Sequence, residues 1–120
     1  MDPVLLVGLG GAFGSILRYE CSKIQPFRGL PAGTLLVNVL GSFVFGLVVF
    51  SRAPADLMYF LGIGGMGGFT TFSTFSYETF RMLEDQDYYG MVSNILTNGA
   101  GSILSVMAAL AICTGLGITG

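Results

Sequence analysis

Histidine is absent from this chain of 120 residues, cysteine occurs only twice, and charged residues make up 10% of it. Without histidine, and with Cys21 and Cys113 each lacking neighbouring ligands, the sequence offers no zinc or haem site. It offers no nucleophile–base pair either, so an enzyme is not expected. Five basic residues against seven acidic ones, a formal charge of −2, leave no electrostatic footprint for nucleic acid. The chain opens Met1-Asp2-Pro3 rather than with a basic stretch, so a cleaved signal peptide is not expected.

What is present is apolar. Hydrophobic residues make up 52% of the chain and the mean hydropathy is +0.76, the composition of an all-α integral membrane protein. A span takes about 20 residues, so the length accommodates four transmembrane helices. They are expected at about 4–22, 33–50, 57–83 and 89–116, in one domain covering 1–120. Nineteen glycines without a period suit close helix packing in lipid. Gly10 and Gly14 form one such small-residue face on the first helix. Four spans place Cys21 and Cys113 on opposite faces of a hydrocarbon layer about 30 Å thick. That separation excludes an intrachain disulfide. Four short helices enclose little space, so a pore requires an oligomer.

The third hydrophobic segment carries the densest signal, Gly64-Gly65-Met66-Gly67-Gly68 followed by Phe69-Thr70-Thr71-Phe72-Ser73-Thr74-Phe75-Ser76. Each glycine costs a helix about 1 kcal/mol against alanine, so a break is expected at 64–70, in mid-membrane. Backbone freed there must be buried by protein or must face an ion or water. Phe72 and Phe75, three apart, share a helix face.

Other polar residues fall at membrane depth. Asn38 is strongly polar within the second span and needs a partner. Asn94, Asn98 and Ser102 recur every four residues along one face of the fourth span. Arg18 lies just inside the first span's boundary, where it either snorkels to the interface or attracts anions. Glu84-Asp85-Gln86-Asp87 reads as a solvated turn, and the tail from Cys113 to Gly120 is expected to fray. No carboxylate lies in the core of a span; Glu20 and Glu78 sit toward helix ends. This argues against proton-coupled drug exchange, which keeps an acid at mid-depth. Hydroxyls, amides and the electropositive rims of phenylalanines suit an anion. Freed carbonyls suit a small hard cation such as Na⁺.

Three strings resemble the Fluc family of fluoride channels, also called CrcB. They are Gly10-Gly11-Ala12-Phe13-Gly14-Ser15-Ile16-Leu17-Arg18-Tyr19, Gly33-Thr34-Leu35-Leu36-Val37-Asn38-Val39-Leu40-Gly41, and the run from Gly67 to Ser76. The resemblance implies an antiparallel, dual-topology dimer of four-helix subunits with two fluoride pores and a structural Na⁺ at its centre. It implies that the carbonyls of Gly67 and Thr70 hold the Na⁺. Phe72 and Phe75 become ring-edge fluoride ligands, Asn38 the facing pore amide, and Ser73, Thr74 and Ser76 further hydroxyls. Arg18 becomes a vestibule residue. Asn94, Asn98 and Ser102 occupy a polar track that in the family commonly begins with tyrosine and continues with serines.

The implied function is passive, selective efflux of F⁻ across the cell membrane, conferring fluoride resistance. Basic residues Lys23, Arg28 and Arg81 share one face against Arg52 on the other, which by the positive-inside rule places the N-terminus outside. A homodimer is preferred, with a heterodimer formed with a paired homologue as the alternative. Two other readings stand beside the channel. A small multidrug-exporter-like dual-topology transporter would need a carboxylate in the first helix, and positions 4–17 have none. A non-transporting assembly subunit would use the glycines and polar residues only as helix glue.

Overall fold

Asp2 and Pro3 start the first helix as local chemistry dictates. The Asp2 carboxylate accepts from the Val4 N–H at 2.8 Å, and Pro3 occupies the first turn, where no amide partner is needed. In the computed structural model, which describes residues 1–118, this helix α1 runs Pro3–Cys21. A tight turn follows, closed by paired Phe27 and Leu30 backbone bonds of 2.9 and 3.0 Å. Arg28 and Gly29 both have positive φ (52° and 80°), the combination such a turn demands.

Helix α2 spans Ala32–Phe50, α3 Ala55–Leu57, α4 Gly67–Phe69, α5 Phe72–Glu84 and α6 Tyr88–Gly115. A π-helical stretch, Met58–Met66, joins α3 to α4. Positive φ at Arg52, Gln86 and Gly117 turns the chain just past α2, α5 and α6. Asp87 caps α6 by accepting from the Gly90 N–H at 2.9 Å. Among the described residues three helices are long and apolar enough to cross a membrane: α1, α2 and α6. At about 1.5 Å per residue, the 19 residues of α1 or α2 extend close to the thickness of the hydrocarbon layer. The segment expected as the third span is instead assembled from short pieces.

The break falls at the last residue of the expected interval and not at its glycines. Gly64 to Phe69 are helical, first with π and then with α geometry, and the chain leaves the helix at Thr70 (ψ 158°) and Thr71 (φ −147°, ψ 117°). The glycines serve packing instead. A Cβ on Gly10 would strike the Phe60 carbonyl oxygen, and one on Gly14 the Gly65 carbonyl oxygen. Reciprocally, a Cβ on Gly64 would lie 2.5 Å from the Val7 oxygen, and one on Gly68 2.5 Å from the Gly11 oxygen. Backbone therefore lies on backbone along the α1–π seam, and each absent methyl is recovered as dispersion between main chains.

On the other side α2 packs along α6, with Gly46 against Ala109. Val37, Met66 and Phe69 form the small buried core. The chain measures 47 × 32 × 18 Å, a plate about two helices thick. The expected fraying from Cys113 is corrected too: α6 is regular to Gly115 and Cys113 is buried, its thiol facing the Leu47 carbonyl oxygen at 4.0 Å. The rest of that tail, Thr119 and Gly120, lies outside the described residues. Cys21 and Cys113 are both free.

Candidate functional site

Two side chains create the break. In an uninterrupted α-helix the Thr71 N–H would pair with the Gly67 carbonyl and the Thr74 N–H with that of Thr70. Instead Thr71 N–H donates to Asn38 Oδ1 at 2.8 Å, and Thr74 N–H donates to Thr71 Oγ1 at 3.1 Å. The second bond is an N-cap for α5. Both amides are satisfied, and the carbonyls of Gly67 and Thr70 lose the donors that helix continuity would supply. Gly67 and Thr70 line one cavity of about 360 Å³ together with Gly41, Ser42, Phe45 and Met66. Among the described residues there is no cluster of three or more acidic or cysteine side chains for a metal, and the oxygen-bearing residues around this cavity offer main-chain carbonyls and the Ser42 and Thr70 hydroxyls.

A second cavity, about 470 Å³, brings together Asn38, Ser42, Thr70, Thr71, Phe72, Phe75, Asn98 and Ser102. Its ring pair sits with centroids 5.9 Å apart and planes at 49°. Phe72 is 79% exposed on this single chain, while Phe75 is half-buried. Asn38 donates to the Thr71 carbonyl at 3.1 Å and to Asn98 Oδ1 at 3.0 Å, which engages both its amide protons. Asn98 in turn donates to the Asn94 side-chain and main-chain oxygens at 3.1 and 3.0 Å. Ser42 and Ser102 make no hydrogen bond among the described residues, so their hydroxyls remain available to an occupant of the cavity.

The remaining expected residues lie elsewhere. Arg18, Ser73 and Thr74 line a third cavity of about 300 Å³ with Tyr19, Thr34 and Thr71, on the α1 side of the break. Ser76 is half-buried and lines none of these three cavities. Asn94 is buried and donates to Thr79 Oγ1 at 3.0 Å, away from the rings. Thr71 touches two cavities and joins α5 to α2. Ser42 likewise links the carbonyl cavity to the ring cavity.

Residue spacing alone does not single out Ser42, Thr79 or the pair formed by the Thr34 hydroxyl and the Glu78 carboxylate (2.6 Å). Glu78, expected toward a helix end, is instead the seventh of the 13 residues of α5. For Ser42 the available signal is its position one turn beyond Asn38 on the same helix face.

The family model described as "CrcB-like protein, Camphor Resistance (CrcB)" matches residues 5–114. The chain belongs to the CrcB family. Its relatives within that family are similar over most of their length. The fluoride-specific ion channel FluC of Methanococcus maripaludis is 48% identical over 108 residues, covering 86% of this chain and 88% of the relative. The fluoride-specific ion channel FluC of Methanocaldococcus jannaschii is 44% identical over 108 residues, 86% of this chain and 87% of that one. The fluoride-specific ion channel FluC 1 of Methanosarcina barkeri is 43% identical over 110 residues, 91% of this chain and 95% of that one. With three helices of spanning length and apolarity, this CrcB member is a multi-pass integral membrane protein of the cell membrane.

Proposed function

We propose that this chain is a subunit of a fluoride-selective channel that lets F⁻ leave the cytoplasm passively, a function that confers fluoride resistance. One observation carries the reading. The ring pair Phe72 and Phe75 shares a cavity with the uncommitted hydroxyls of Ser42 and Ser102, beside a helix break whose carbonyls have lost their amides. The names of the family relatives, fluoride-specific ion channels, support it.

The chemistry is consistent. Fluoride is small and strongly hydrated, so dehydrating it takes several donors at close range; ring edges and hydroxyls supply them without a full positive charge that would trap the ion. Asn38, Asn98 and Ser102 would line the pore with the rings. Asn94 would extend that polar track, and Ser76 would add a hydroxyl on α5. Arg18, Ser73 and Thr74 would form the approach, where the guanidinium raises the local anion concentration.

In the same reading the segment 55–84 crosses the bilayer in pieces as the third of four spans. Two antiparallel subunits would cover the exposed Phe72, generate two pores, and set Gly67 and Thr70 of each around one Na⁺ on the axis. The carbonyls fit that ion, since the donors they would have in a helix are held by Asn38 and Thr71. Bound there, Na⁺ would supply a fixed positive charge near both pores. A homodimer is the simpler assembly, with a paired homologue as the alternative partner.

Purified protein in liposomes, loaded with potassium fluoride or chloride and opened to K⁺ by an ionophore, tests the proposal. Fluoride should leave rapidly and chloride hardly at all, and Phe72→Ile or Phe75→Ile should abolish the fluoride efflux. Equal passage of the two halides would refute it.

A further inference from the structure

The cavity around Phe72 and Phe75 is bordered by a chain of hydrogen bonds that leaves the aromatic turn and returns to it. It starts at the Thr71 N–H, a group that can only donate, bonded to Asn38 Oδ1 at 2.8 Å. That contact fixes the Asn38 amide, so its nitrogen faces the Thr71 carbonyl and Asn98 Oδ1. Asn98 must then turn its own nitrogen to Asn94. Asn94 turns its nitrogen to Thr79 Oγ1 at 3.0 Å. The Thr79 hydroxyl spends its proton on the Phe75 carbonyl at 2.7 Å, a group that can only accept. Both ends are backbone groups with a single role. Every amide orientation between them is therefore forced rather than free to flip.

We propose that Thr79, through Asn94, Asn98 and Asn38, is a positioning residue that sets the pitch of the Phe72–Phe75 turn and so the halide selectivity of the cavity. The inference rests on the channel reading. The two ends of the ladder, Thr71 and Phe75, bracket the turn that carries both rings, and its rungs come from α2, α6 and α5. A hydroxyl bonded to the carbonyl four residues back also bends a helix at that carbonyl, which here belongs to Phe75. Thr79 does not line the ring cavity, so it acts through the Phe75 main chain and not on the occupant. The ladder also consumes both amide protons of Asn38 and of Asn98. Direct donation to a halide then falls to the ring edges and to Ser42 and Ser102.

Thr79→Val keeps the shape and removes the hydroxyl, Thr79→Ser keeps the hydroxyl, and Thr79→Ala removes it with less bulk. Each variant is compared with the parent in liposome fluoride and chloride efflux, after size-exclusion elution establishes that it assembles as the parent does. Amide hydrogen exchange over residues 71–75 is measured in parallel. Loss of one rung should lower the fluoride-over-chloride ratio on the order of tenfold in Thr79→Val, with faster exchange at 71–75, and Thr79→Ser should remain close to the parent. Should Thr79→Val fail to assemble, Thr79→Ala carries the same expectation. Parental selectivity and exchange in Thr79→Val overturn the proposal, as does a Thr79→Ser protein as impaired as Thr79→Val. A parent that passes no fluoride overturns the channel reading instead, and the exchange measurement, which needs no flux, still decides the ladder.

Discussion

Gly14→Ala should destabilise this protein although it replaces the second-poorest helix former with the best. In an exposed helix the exchange favours folding by about 1 kcal/mol. Here the added methyl would overlap the Gly65 carbonyl oxygen and lie 2.9 Å from the Phe69 nitrogen and 3.0 Å from the Gly65 carbonyl carbon. All three are main-chain atoms, so no side chain can rotate away. α1 and the π-helical stretch must part by on the order of 1 Å, a gap that forfeits up to about half of the dispersion energy between facing atoms of the seam. Overpacking of this kind costs about 1–3 kcal/mol or more. Because the seam is main chain against main chain over several turns, it opens as a unit and the upper end applies. The net loss is then about 2 kcal/mol, a melting point lowered by about 8 °C.

Gly8→Ala is the internal control. It lies on the same helix with nothing within 4 Å of the added carbon, so only the favourable propensity acts and stability should rise slightly. Thermal unfolding of the detergent-solubilised protein, followed by loss of the size-exclusion peak, measures both. The two shifts should have opposite sign. If Gly14→Ala melts with or above Gly8→Ala, the seam is not held by main-chain packing and the glycines have another role.

Two further predictions follow from single interactions. Replacing Na⁺ by a large organic cation throughout purification should lower both the melting point and the fluoride flux if the Gly67 and Thr70 carbonyls hold a cation, and restoring Na⁺ should recover them; indifference to Na⁺ refutes that part of the proposal. Lys23→Ala should change stability by no more than about 0.5 kcal/mol, because the 3.2 Å ion pair with Glu20 is exposed on both sides, and a larger loss in the same melting assay would contradict the exposed geometry.

The spans of α1, α2 and α6 were legible because hydropathy and capping are local: Asp2, Pro3 and Asp87 mark helix starts within their own turns. The pairing of Phe72 and Phe75 was legible for the same reason, as spacing of three on a helix brings side chains together whatever surrounds them. The position of the break was not. A propensity scale charges each glycine its cost in isolation, whereas the glycines of the π stretch recover it from α1, far away in sequence. What does stop the helix is Asn38, thirty-three residues before Thr71, and a threonine that caps its own next turn. The stripe of Asn94, Asn98 and Ser102 lies on one helix face as its spacing requires, but periodicity cannot say what each residue on it meets. The structure buries Asn94 against Thr79 and leaves Ser102 open to the ring cavity.

The way the helix is broken also bears on the sign of the ions it would serve. A helix can be interrupted by orphaning donors, acceptors or both. Here Asn38 and Thr71 supply oxygen atoms to the amides of Thr71 and Thr74, and the carbonyls of Gly67 and Thr70 lose those two donors. Had the Thr71 and Thr74 amides been left bare instead, these two positions would have favoured an anion, as helix N-termini do. A bare pair of carbonyls does the opposite and repels a halide at that point. In the proposed channel the anion must therefore be carried beside the break rather than through it, by groups with no net negative end facing it, and ring rims and serine hydroxyls are what the adjoining cavity holds. A cation on the carbonyls would then cancel the one local field that opposes the anion's passage. The cation and the aromatic pair are in that case two halves of one device, and withdrawing the first should impair flux even with every pore-lining side chain intact.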